Sequence, residues 1–233
     1  MDDARYLPKW ELAGVGGVVV CIDVLRAFTT AAYALAGGAT EIWLVSGLDE
    51  AMDLGRSLGA LVMGEDGGRR PPGFDLSNSP VAASQADVAG RTIVQRTGAG
   101  TQGAVAAVDA ERLFVASLVV ASATARAVDA CGRGAPTYCI TGRFPDGVHH
   151  GEDDVLAAEL IERARLGLPL DVEATARAVA ATDEAARTLA VGEGHVDPAD
   201  IDFACAVDRF DFAMEVDRLD GGLRVRSTRA LDS

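Results

Sequence analysis

The sequence predicts an α/β domain in three layers, a largely parallel, mixed sheet between helices, with an antiparallel hairpin at one edge. Three observations carry that reading. Short apolar, β-branched runs alternate with helical stretches six times between residues 18 and 165, the pattern of a parallel sheet covered on both faces. Near the C-terminus Phe212–Val216 and Leu223–Val225 bracket Asp220-Gly221-Gly222, a hairpin signal. The chain has 233 residues, 49% of them apolar, enough to bury one sizeable core.

Val18 to Ile22 is the first strand and ends at Asp23; a helix follows from Arg26 to Ala36, closed by Gly37-Gly38. Glu41–Val45 is the second strand and Leu48–Leu58 its helix. Leu61–Met63 is the third, ending at Gly64-Glu65. The stretch DGGRRPPGFDLSNSP then holds too much Gly and Pro for a regular element. Thr92–Gln95 is the fourth strand, with a Gly-rich turn and a helix from Thr101. Leu113–Ala116 and its helix Ala121–Ala130 come next, then Thr137–Ile140 and a helix over Asp153–Arg165. Val172 to Ala190 is Ala-rich and reads as helix, and Pro198 opens a short one. No linker or repeat separates these parts, so residues 1–233 are read as a single domain.

The formal charge of −14 and a pI near 4.5 argue against nucleic acid and anionic membrane surfaces as partners. MDDARYLPKWEL is charged and interrupted by Pro8, no apolar run approaches a membrane span, and the four cysteines form no CxxC pair. A reducing cytoplasm is the expected location. Cys21 and Cys139 sit inside apolar runs, as small buried hydrophobes do.

In open sheets of this kind ligands bind beyond the carboxyl ends of the strands, where Asp23, Glu65, the loop after Gln95 and the loop after Ile140 all fall. Asp23 opens DVLRAFTT, a carboxylate followed by Arg26 near a helix start. Oxygen ligands suit magnesium, and a phosphoryl group suits Arg and helix N–H donors; the plainer alternative makes Asp23 a helix cap and Arg26 a surface residue. GFDLSNSP (Gly73–Pro80) offers Asp75, Asn78 and Ser79, or merely an Asx-type turn. Gly98-Ala99-Gly100-Thr101-Gln102-Gly103 matches the dinucleotide fingerprint, but it follows the fourth strand and no acid lies about twenty residues on. It reads instead as an anion-binding loop with Thr97 and Thr101 as hydroxyl donors. His149, His150 and the acids Glu152, Asp153 and Asp154 are either a metal site or dipole-complementing first-turn residues. His195 reads as structural.

Taken together, DVLRAFTT (Asp23–Thr30), Gly64-Glu65, GFDLSNSP and ASLVVASATARAV (Ala116–Val128), with weaker echoes in EDDVLAAE and DIDFACAVDRFDFAMEV, resemble the 2-phosphosulfolactate phosphatase family. The resemblance implies an α/β/α fold and magnesium-dependent hydrolysis of a small anionic phosphate ester, 2-phosphosulfolactate, to 3-sulfolactate and phosphate, a step toward coenzyme M. It makes Asp23, Glu65 and Asp75 candidates for holding Mg2+ and Asp23 and Arg26 candidates for catalysis. Asn78 and Ser79 become candidates for binding substrate, with Arg96, Thr97, Gly98, Gly100 and Thr101 of the Gly-rich loop. That loop departs from the family, carrying Ala99 where an amide is usual and Arg96 as an added base, which predicts that Arg96 helps select the acid. Two other classes compete: a non-catalytic relative that binds an anionic metabolite, and a nucleotide-dependent oxidoreductase. Association into a homodimer is left open.

Overall fold

In the computed structural model, which describes residues 3–220 and 222–229, the chain opens with β1 (Arg5–Pro8) and a 3-10 turn, Lys9–Glu11. β2 (Val18–Ile22) leads into α1 (Ala27–Ala36) and β3 (Glu41–Val45) into α2 (Leu48–Leu58). β4 (Leu61–Gly64) runs through the long loop to the two-residue β5 (Leu76–Ser77) and α3 (Pro80–Gln85). β6 (Thr92–Arg96) is followed by α4 (Gly100–Ala106), and β7 (Arg112–Ala116) by a 3-10 turn, Leu118–Val120, and α5 (Ala121–Ala130). β8 (Thr137–Ile140) precedes α6 (Glu152–Arg165). α7 (Val172–Ala180), α8 (Asp183–Ala190), α9 (Asp200–Ala204), β9 (Ala213–Leu219) and β10 (Gly222–Thr228) complete the described chain.

The six expected strands, and the helices expected after them, stand within one residue of their predicted bounds. The expected helix over Val172–Ala190 is instead two. Thr182 breaks it: its Oγ1 donates to Val179 O at 2.8 Å and accepts from Ala185 N at 3.2 Å, ending one helix and capping the next. Of the hairpin turn, Gly221 lies outside the described residues.

The strand order is β1-β8-β2-β7-β9-β10-β3-β6-β4-β5. Two parallel blocks, β1-β8-β2-β7 and β3-β6-β4-β5, are joined by β9 and β10, which pair antiparallel to each other and to both flanking strands. The α/β class with a mostly parallel, mixed sheet therefore holds, but the hairpin is at the centre of the sheet and not at its edge. Met214, Val216 and Val225 are buried there. In that position the hairpin also pairs backbone groups of β7 and β3 that would otherwise form two open edges.

Because the hairpin inserts two strands, the blocks run in opposite senses. α1 shows how their ends still meet. Residues 27–35 of this helix are all buried, and a helix apolar all round must be covered all round. It packs on β3 and on β7, while α4 packs on β2 and on β3. The sheet curls about these two helices and brings the loop after β2 against the loops after β4 and β6. Phe28 of α1 is fully buried in the shared core with Phe114 and Leu44, a side chain whose burial stabilises by roughly 1.5–3 kcal/mol. Cys21 and Cys139 are buried free thiols; a hydrogen bond between their sulfurs and burial push Cys21 well up, which keeps it unreactive.

Candidate active site

Asp23 leaves β2 and turns its carboxylate back over the start of α1, where Oδ1 accepts from Ala27 N at 2.8 Å. Asp23 thus caps the helix, as the plainer reading had it. It also lines a pocket of about 540 Å³, together with Arg26, Glu65, Asn78, Gly98, Asp153, Asp154, Glu184 and Arg187. A Cβ on Gly100 would stand 2.7 Å from Asp23 Oδ2 and 2.8 Å from the Ala27 Cβ, so only glycine admits α4 this close to the carboxylate.

Glu65, at the end of β4, accepts from Gly68 N at 2.6 Å and from Gly98 N, tying the loop after β4 to the loop after β6. Gly64 has φ 149°, and a Cβ there would run into the Arg96 carbonyl, again a glycine-only position. Arg26 is 4% exposed. Its Nη1 donates to Asp200 Oδ2 at 2.9 Å and to His195 O at 3.0 Å, and its Nη2 to Gly68 O at 3.3 Å. The guanidinium is clamped by α9 and the loop before it. His195 is structural as expected, accepting from Arg70 N through Nδ1.

Two acids that the sequence left open between a metal site and first-turn residues of α6 line the pocket. Asp154 accepts from Val24 N (2.9 Å) and Gly142 N (2.8 Å), bracing the loops after β2 and β8. Asp153 is buried, and its Oδ1 has no hydrogen-bond partner. Burial, then the neighbouring charges of Asp23 and Glu184, raise Asp153 to about 7. Burial raises Asp23 to about 6, against the Ala27 amide, which lowers it, and with Glu65, which raises it. Asp154 is pushed well above the carboxylate range by burial and by Asp153 and Asp23. Asn78 is also buried in the wall with Oδ1 unpartnered.

The remaining candidates lie elsewhere. Asp75 is exposed and its Oδ2 accepts from Val62 N at 2.8 Å, near the start of β4 and away from the pocket. Ser79 caps α3, accepting from Ala82 N at 3.1 Å and donating to Asp200 Oδ1 at 2.6 Å. Thr97 and Thr101 are buried and bonded to each other: each backbone N donates to the other's Oγ1. Arg96 donates to Ser46 O, Glu65 O and Asp66 Oδ1; it braces the Glu65 backbone and takes no part in lining the pocket. Two of the three glycines matching the dinucleotide pattern pack closely on protein. Gly100 meets Asp23 and Gly103 sits where a Cβ would come 2.5 Å from the Thr141 methyl, whereas Gly98, whose amide donates to Glu65, lines the pocket.

The chain matches the 2-phosphosulpholactate phosphatase family over residues 7–217. It belongs to that family. A Bacillus subtilis protein named "Probable 2-phosphosulfolactate phosphatase" is 34% identical to it over 163 residues, 70% of each chain. Proteins of the same name from Carboxydothermus hydrogenoformans and Deinococcus radiodurans are 46% and 41% identical, over 53% and 65% of this chain and 51% and 62% of their own lengths. The family name describes phosphoric monoester hydrolases, and the chain is one by membership.

Proposed function

We propose that this protein is a cytoplasmic phosphatase that uses a divalent cation, magnesium, to hydrolyse 2-phosphosulfolactate to 3-sulfolactate and phosphate. The observation that carries the reading is the buried carboxylate cluster in a family phosphatase pocket. Asp23, Asp153 and Asp154 are buried in one pocket wall; burial first, then neighbouring carboxylates, raises their proton affinities, and like charges are gathered in this way where a cation is to be held.

The donor set fits such an ion. Asp153 Oδ1 and Asn78 Oδ1 are hard oxygens without partners, and Asp23 stands beside them in the lining. Among the described residues no three His, Cys, Asp or Glu side chains form a ready cage, so a cation here would draw on one or two carboxylates, waters and the substrate's own phosphate, as magnesium commonly does. The bound ion would neutralise the charge of the transferring phosphoryl group. Glu65 orders the Gly98 loop, Asp154 fixes the loops after β2 and β8, and Arg26, clamped by Asp200, holds positive charge at the pocket wall. Asp75 has no place in this set.

Assay of 2-phosphosulfolactate and p-nitrophenyl phosphate before and after chelation tests the reading. Phosphate release should vanish with EDTA and return with magnesium. Full turnover by protein shown to be metal-free would overturn the cation's role, and no release from either ester under any metal would overturn the phosphatase.

A further inference from the structure

One wall of the pocket is α8, which presents Glu184, Arg187 and Thr188 to it. Two arginines line this pocket, and they are held differently. Arg26 is buried and bonded to a carboxylate and two carbonyls. Arg187 is about one third exposed and bonded only to acids of its own helix: Nη2 donates to Glu184 Oε1 at 3.1 Å, and Asp183 stands at 3.9 Å. Its Nε is buried with no partner, and so is Glu184 Oε2. A buried donor left unmade is costly, and a guanidinium edge in that state is suited to a planar or tetrahedral anion.

Glu184 sets where that edge lies. Its Oε1 also accepts from Gly151 N at 3.1 Å, fastening α8 to the start of α6 and to Asp153 nearby. The pocket therefore has an acidic side, Asp23, Asp153 and Asp154, and on α8 a guanidinium held beside the Glu184 carboxylate. The acidic side suits an ion that takes the phosphate. It repels any second anionic group on the substrate, which needs its own counter-charge, and Arg96 does not reach the pocket.

We propose that Arg187 is the specificity-determining residue that binds the substrate's non-phosphate acid group, a carboxylate or sulfonate, through Nε and a terminal nitrogen, while Glu184 holds the guanidinium in place when the pocket is empty. This rests on the phosphatase reading for the identity of the ester, and the test separates the two. Turnover of 2-phosphosulfolactate, 2-phospholactate and p-nitrophenyl phosphate is compared in wild type, R187Q and R187K, beside calorimetric binding of 3-sulfolactate, which has no phosphate.

Loss of a charged hydrogen-bonded pair predicts that R187Q loses about tenfold to a hundredfold in kcat/KM on the acid esters, with p-nitrophenyl phosphate changed by less than about threefold on the same basis. R187K should recover part of the loss, since it keeps the charge without the fork. Loss on both acid esters assigns the carboxylate, and loss on the sulfonated ester alone assigns the sulfonate. Binding of 3-sulfolactate that weakens about tenfold or more in R187Q supports the subsite even if wild type hydrolyses none of the esters, in which case the phosphatase reading alone falls. Equal losses on all esters, or 3-sulfolactate binding that is absent or indifferent to Arg187, would overturn the subsite while leaving wild-type turnover to stand.

Discussion

Asp23 holds two jobs at once, and substitution separates them. Asn keeps the Oδ1 acceptor for Ala27 N, so the α1 cap survives D23N. It removes a charge that burial already disfavours, so the melting temperature at neutral pH should stay level or rise. Turnover should drop by about a hundredfold or more, the scale of a lost transition-state electrostatic contact. A variant as active as wild type, measured by phosphate release, would reduce Asp23 to its cap.

Asp153 gives a pH signature with a definite sign. Its folded pKa, about 7, lies above the unfolded value of about 3.9. Between those values the native state binds more protons than the unfolded one, so stability is fullest at the acid end and is lost as pH rises toward 7. Asp23, raised to about 6, adds in the same direction. The chelated protein should therefore melt several degrees higher near pH 5 than near pH 7.5. D153N should flatten the profile, and magnesium should flatten it too by stabilising the ionised pair. A melting temperature that climbs with pH across that window in the chelated protein would contradict the buried-acid account.

Which residues served the pocket was only partly legible in the sequence. Asp23, Glu65 and Asn78 stood out because each follows or flanks a strand end that loops must gather. Asp153 and Asp154 were left between two readings, because acids in a first helical turn usually serve the dipole, and only tertiary closure shows that Asp154 reaches across to Val24 and Gly142. Arg96 misled because a strand alternates faces, and nothing local says which face meets the pocket. Asp75 misled because its motif closes a turn on β4.

Among elements, those with local punctuation were read best. α2 was bounded correctly since Gly47 precedes it and Gly59, at φ 60°, ends it. The split between α7 and α8 was missed although Thr182-Asp183-Glu184 is an N-cap signal, submerged in an Ala-rich run. T182A tests that cap: it should cost about 1 kcal/mol of stability and weaken 3-sulfolactate binding, because α8 carries Arg187. α4 makes the complementary case. G100A forces a methyl toward Asp23 and Ala27 and should destabilise by about 1–3 kcal/mol, with activity falling further than in a control such as G16A, whose Cβ would meet only the Asp109 carbonyl oxygen, at 3.9 Å. If G100A melts and turns over like wild type, α4 is not packed on Asp23 as described.

At the scale of the whole molecule, parallel pairing and layering were predictable from alternation alone, whereas strand order was not, since pairing joins residues far apart in sequence. No helix among the described residues is long and apolar enough to cross a membrane. The pocket exists only because the two blocks curl about α1 and α4, so it is a property of the completed sheet.

That dependence gives the hairpin a meaning in time as well as in space. A chain emerging from the ribosome can pair β2 with β7 and β8, and β3 with β6, soon after each is made, but β7 and β3 have no bridge until residues 213–228 are out. The two blocks must wait, each with an open edge, for the last strands to arrive. Folding of this kind closes over long sequence separations and is correspondingly slow, and the waiting edges are the places where a neighbouring chain would add itself. Overproduction at high temperature should then drive the protein into aggregates more readily than its final stability suggests, and slowed translation or a chaperone that shields strand edges should restore the soluble yield.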